Sequence, residues 1–201
     1  MNRAACLLLP LALILAGCGQ SASGGIVGPP PLPSGVTVKF APAPAGSYLA
    51  LLTDEDEASE VVYQQRVDTG ATSAAPNLND WAKLSERAAA LTLPGGETTK
   101  ARLLFLKWGM WQDKNGNGEP DAGEWLDRMS HDRVVYASQD MQARFETAVP
   151  KMRQFWSFTQ GWSRAEHYVY LPAGSDTYIR ESKSTGYGVY ELHEDTPITS
   201  M

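Results

Sequence analysis

Oxygen-bearing side chains are concentrated in one short stretch of this chain, Asp113 to Glu124, which reads DKNGNGEPDAGE. Counted from Asp113, side-chain donors fall at positions one (Asp113), three (Asn115), five (Asn117), nine (Asp121) and twelve (Glu124). Glu119, at seven, offers a backbone carbonyl. A hard cation such as Ca²⁺ takes roughly six to eight oxygen ligands, and this spacing turns that many donors towards one point. Asp121 can reach the ion through a water, and Glu124 can close the shell with both oxygens. Gly118 marks position six, where such a loop turns sharply and a Cβ would collide. Asparagine, aspartate and glycine also build ordinary polar turns, so it is the spacing rather than the composition that points to one Ca²⁺ ion.

Other chemistry is harder to find. The three histidines are His131, His167 and His193. None stands in an H-E-x-x-H or H-x-H spacing. Glu166-His167 and His193-Glu194-Asp195 are neighbours in sequence, and neighbours on a strand point to opposite faces, so neither pair makes a ready zinc or acid–base site. There is no G-x-S-x-G elbow, no phosphate-binding glycine loop and no cysteine placed as a nucleophile. The residues therefore give little support to an enzyme, although carboxylates brought together only by folding could still serve a hydrolase. Six tryptophans form a second signal. Trp111 and Trp125 border the acidic loop and could form a platform on which a sugar ring stacks beside the ion. The competing expectation is that these rings fill a core, and Trp108 fits it best because it shares an apolar face with Leu104, Leu106 and Met110.

The N-terminus reads as an address. Arg3 precedes an apolar run from Cys6 to Leu15 that is too short to span a bilayer. The run ends in Leu15-Ala16-Gly17-Cys18, which resembles the lipobox of bacterial lipoproteins. The resemblance implies that residues 1–17 are a signal peptide and that Cys18 becomes the lipidated N-terminus. Two or more acyl chains would then hold the protein on a membrane of the cell envelope. Gly19 lacks the aspartate that retains many such lipoproteins at the inner membrane. The outer membrane is expected in a cell with two membranes, and the outer face of the plasma membrane otherwise.

The charge balance agrees with an extracytoplasmic cation binder. Acidic residues outnumber basic ones by 23 to 17, and loss of Arg3 with the signal deepens the deficit. Such a surface suits neither nucleic acid nor anionic lipid. The second of the chain's 2 cysteines is the lipidation site, so no disulfide is expected. An exported domain without disulfides needs a proper core or a metal staple.

The stretch Asp113 to Glu124 also resembles the calcium loops of EF-hand and dockerin-type proteins. The resemblance covers these twelve residues and implies Asp113, Asn115, Asn117, Glu119, Asp121 and Glu124 as ligands. The chain departs from those families in three ways. Pro120 replaces the hydrophobic residue that pairs two loops through a short strand, and proline has no N–H to donate. There is one loop instead of two. The flanks read as strands instead of helices. Calcium would then act as a structural staple, without calmodulin-like opening or cohesin binding. Asparagines at positions three and five imply a dissociation constant near ~10⁻⁴ to 10⁻³ M, as in extracellular modules.

The elements that must carry the loop are mostly extended. Residues 18–35 are rich in Gly, Ser and Pro and read as a flexible, then stiffened, linker. Residues 36–201 suffice for a single globular domain. Strands are predicted over 36–40, 47–53, 60–67, 102–111, 134–136, 152–158 and 166–171, with a closing hairpin of 177–183 and 187–194 across Ser184-Thr185-Gly186. Asp54 to Glu57 reads as a solvated loop tip. A helix is predicted over 77–93, where Trp81, Leu84, Ala88 and Leu91 share a face, although 91–93 also reads as strand. Trp125, Leu126 and Met129 could make one helical turn, and a recurrence every four residues at Met141, Phe145 and Val149 suggests a short helix. The sum is a mainly β chain, expected to be a β-sandwich of seven to nine short strands with one or two accessory helices. As a membrane-tethered lipoprotein, its partner would be a polysaccharide or an envelope protein.

Overall fold

β-Branched and aromatic residues in alternation hold most of the chain extended. The structure, a computed structural model, describes residues 35–53, 59–77, 79–186 and 188–194. The expected signal segment 1–17, Cys18, the expected linker up to residue 34 and the Asp54 to Glu57 run lie outside the described residues. In chain order the strands are β1 (Thr37–Lys39), β2 (Ser47–Thr53), β3 (Val61–Arg66), β4 (Ser73–Ala74), β5 (Ala89–Thr92) and β6 (Thr98–Gln112). They continue as β7 (Trp125–Ser130), β8 (Arg133–Ala137), β9 (Met141–Ala148), β10 (Lys151–Phe158), β11 (Gly161–Tyr170), β12 (Tyr178–Thr185) and β13 (Val189–Glu194). One helix, α1 (Trp81–Ser85), falls between β4 and β5. The chain is mainly β, with thirteen described strands where seven to nine were expected. Their order is compatible with a sandwich.

The 15-residue β6 is the spine. On one side of it lie β5 and β2, and on the other β8 and β7, all antiparallel to it. β7 and β8 run end to end along this second side, broken only at His131-Asp132. Beyond the break the sheet divides. One branch continues from β7 through β13 and β1 to β4, and the other from β8 through β11, β12 and β10 to β9. Buried residues follow the spine. Leu106, Trp108 and Met110 join the largest cluster, with Leu49, Leu51, Val134, Trp162 and Tyr190. Ala101 and Leu103 join a second, with Val135, Ala137 and Phe158. Trp111 joins a third, with Ala50 and Leu52.

Four local expectations are corrected. The helix over 77–93 is confined to Trp81–Ser85, because the edge of β6 captures the following residues, pairing Ala89 with Leu103 and Thr92 with Thr98. Met141–Ala148 is a strand with strict alternation of half-buried and exposed positions, paired along its length with β10. Trp125–Ser130 is a strand, since the antiparallel ladder with β6 begins at Trp111 opposite Trp125. The closing hairpin is absent: β12 lies between β10 and β11, whereas β13 lies between β1 and β7.

Candidate metal centre

The loop Asp113 to Glu124 joins two antiparallel strands, β6 and β7, and its mouth is closed by the Gln112 amide donating to the Glu124 carbonyl at 2.8 Å. Two further bonds fix the loop to the rest of the fold. The Asp113 amide donates to the Gly46 carbonyl at 3.0 Å, and Gln64 Nε2, on β3, donates to the Gly118 carbonyl at 3.0 Å. The flanks are therefore strands, and the loop caps a corner where β2, β3, β6 and β7 meet.

Within the loop the polar side chains turn inward. Asn115 and Asn117 both donate through Nδ2 to Asp121 Oδ2, at 2.7 and 2.8 Å. Asp113 accepts from the Gly116 amide at 2.6 Å on one oxygen and from the Gly118 amide at 3.1 Å on the other. Glu124 is 4% exposed, and its two oxygens accept from the Lys114 and Asp121 amides at 2.8 and 3.1 Å. Glu119 has an exposed side chain, and its amide donates to Asn117 Oδ1 at 2.9 Å. Burial of a lone carboxylate is costly, so the two amides facing Glu124 matter to the fold with or without an ion. As these side chains stand, no three His, Cys, Asp or Glu among the described residues are grouped to hold a metal. The donor set of the loop, three carboxylates with two amides and a carbonyl, is of the hard-oxygen kind that Ca²⁺ takes, and the asparagines are essential to that count.

Two readings of the sequence change here. A Cβ built on Gly118 meets nothing within 4 Å, so collision is not the reason for glycine; its φ of +76° is. Trp111 is fully buried and stacks on Tyr48 with ring centres 4.5 Å apart and planes 10° from parallel. Trp125 is half-buried against the same cluster. A ring enclosed on its stacking face cannot receive a sugar, so Trp111 and Trp125 form no exposed platform.

The fold does gather residues that spacing kept apart. His131 lies at the break between β7 and β8, His167 on β11 and His193 on β13. Their rings lie close, with His131 centred 4.9 Å from His167 and 6.3 Å from His193. Nothing in the sequence announces this, because each histidine comes from a different element and the contacts depend on the division of the sheet. Asp132 and Glu166 line the same cleft. Burial raises the Asp132 carboxyl above its ordinary pKa, while Arg164 pulls it down and Glu166 pushes it up. Arg164 reaches both carboxylates and also donates to the Val189 carbonyl at 2.7 Å, tying the two branches together. The two acids are thus engaged by one guanidinium instead of facing each other across open space.

Comparison of the chain with protein-family models, curated proteins and solved structures returns no match.

Proposed function

We propose that this chain is a membrane-anchored, extracytoplasmic calcium-binding lipoprotein, in which one Ca²⁺ acts as a structural staple within a binding or envelope-structural domain. The observation that carries the proposal is the ligand spacing of Asp113–Glu124, set in a loop whose polar side chains already turn towards one another. Asp113, Asn115, Asn117, Asp121 and Glu124 would hold the ion through side chains and Glu119 through its carbonyl. The ion would neutralise three carboxylates and lock the loop onto the corner built by Gly46 and Gln64. At about ten times its dissociation constant, free Ca²⁺ would add roughly 1.4 kcal/mol to stability, enough to fix a loop and too little to drive a switch alone. Lipidated Cys18 would supply the membrane attachment, and a polysaccharide or envelope protein the partner.

The test is terbium luminescence. Trp111 and Trp125 stand opposite each other at the mouth of the loop and would sensitise a bound lanthanide. Tb³⁺ emission under tryptophan excitation, displaced by Ca²⁺, is the expected result. Absence of emission, together with one melting temperature in Ca²⁺ and in chelator, would reject the metal. The anchor is tested separately. Cys18→Ser should move the protein from the membrane to the soluble fraction, and retention on the membrane would reject lipidation.

A further inference from the structure

We propose that the cleft where the sheet divides is a second metal site, binding an imidazole-seeking transition-metal ion such as Zn²⁺ through His131, His167 and His193. This site is independent of the acidic loop and does not rest on calcium binding.

The geometry begins at the break in the β7–β8 line. Extending the β8–β11 register from Ala165 opposite Arg133 places His167 opposite His131. On the other branch, β13 pairs His193 with Met129 and Leu192 with Ser130. Each branch therefore brings one imidazole to the junction, and the junction supplies the third. The cleft between them has a volume of about 670 Å³, ample for an ion and its water. Arg164 lines the cleft and ties the branches through the Val189 carbonyl.

The separations of His131 from its two neighbours suit a shared ion, and His167 and His193 must close on each other as His193 swings towards His131. With a Zn–N bond near 2.0–2.1 Å, a bound imidazole has its centre about 3 Å from the metal, and two such rings at a tetrahedral angle are centred about 5 Å apart. The observed 4.9 Å is already at that value, and the 6.3 Å separation needs an approach of about an ångström. His131 and His193 are exposed, so rotation about their side-chain torsions can bring their nitrogens to a common point. That rotation is required, since the ligand atoms are not yet grouped around one position.

Chemistry selects the class of ion. Imidazole nitrogen suits Zn²⁺, Cu²⁺ and Ni²⁺, whereas Ca²⁺ prefers oxygen. Glu191 precedes His193 by two residues on the same face of β13 and also lines the cleft. It is placed to complete the shell or to orient a ligand from behind. Asp132, Glu166 and Glu191 outnumber Lys39 and Arg164 along the cleft wall, which leaves the site with a mild preference for a cation.

The experiment uses the full chain with Ca²⁺ in excess, so that the acidic loop is saturated. Zn²⁺ titrated calorimetrically should bind at one equivalent with a dissociation constant of about 10⁻⁶ M or tighter. His131→Ala and His193→Ala, both at exposed positions, should each weaken binding at least tenfold while circular dichroism is unchanged. Absence of binding up to about 1 mM, or equal affinity in the two variants and the parent, overturns the proposal. Imidazole nitrogen NMR of the unsubstituted chain provides a check that does not depend on a variant folding. The chain contains 3 histidines, and all three must shift with one equivalent of Zn²⁺. A shift of fewer than three would equally overturn it.

Discussion

Glu124→Gln would separate what the loop gains from an ion from what it gains from its own hydrogen bonds. Glutamine keeps the size of the side chain but exchanges one oxygen for an NH₂ group. Both Glu124 oxygens face backbone N–H groups, those of Lys114 at 2.8 Å and Asp121 at 3.1 Å. After the exchange one of these amides meets a donor instead of an acceptor. The residue is 4% exposed, so water cannot readily repair the loss. A hydrogen bond to a charged group is worth about 1.5–3 kcal/mol, and the variant should be destabilised by about 2 kcal/mol even in chelator. In a domain of this size each kcal/mol moves the melting temperature by about 2–4 °C, giving a fall of about 4–8 °C. The calcium-dependent rise, worth about 1.4 kcal/mol in the parent at ten times the dissociation constant, should vanish as well. Differential scanning calorimetry of parent and variant, each with Ca²⁺ and with chelator, reads both effects. If the variant melts with the parent in chelator, the buried carboxylate is not held as described. If it falls in chelator yet keeps the full rise with Ca²⁺, Glu124 is not a ligand.

Three further expectations follow from single positions. Gly46→Ala should lower stability by about 1–3 kcal/mol in urea denaturation, because φ is +76° and the new Cβ would stand 3.0 Å from the Asp113 carbonyl oxygen. Gly118→Ala, with the same φ but open space around it, should cost less, about 1 kcal/mol, and the ordering of the two variants is the test. Burial holds the Tyr190 hydroxyl well above its ordinary pKa of 10.0, so its contribution is fully present below that pH and is lost as pH rises through the raised folded-state value. Tyr190→Phe should flatten the decline in melting temperature above pH 10, and an unchanged alkaline limb would reject this account.

The strands were legible where packing rewards alternation on a single ladder. Residues 47–53 match β2 from end to end, and the apolar run ending at Trp111 lies within β6. The failures share a cause. A recurrence every four residues, as at Met141 and Phe145, is also a multiple of two, and the strand ladder with β10 selects the shorter period. Trp81, Leu84 and Ala88 are all buried, so their shared face pointed to the core while the local conformation changed beneath it. The Ser184-Thr185-Gly186 turn carried hairpin chemistry, but each flanking strand found better partners in a different branch. The donor spacing of Asp113–Glu124 was legible because all of its residues lie within one short stretch. The histidines were not, since three separate elements had to meet before the cluster existed. Trp111 was misplaced because a position next to a polar loop says nothing of the face its ring turns to the strands behind.

The parallel pairing of β1 with β13, Thr37 beside Val189 through Lys39 beside Glu191, has a consequence for how the protein is made. The earliest described strand acquires this neighbour only when the latest has emerged. Closure of this seam spans nearly the entire described chain, and such non-local pairing is slow. A polypeptide delivered N-terminus first through a narrow channel would remain unsealed along this seam until Val189–Glu191 arrived. Removal of β13 (Val189–Glu194) should therefore damage the N-terminal part of the fold first.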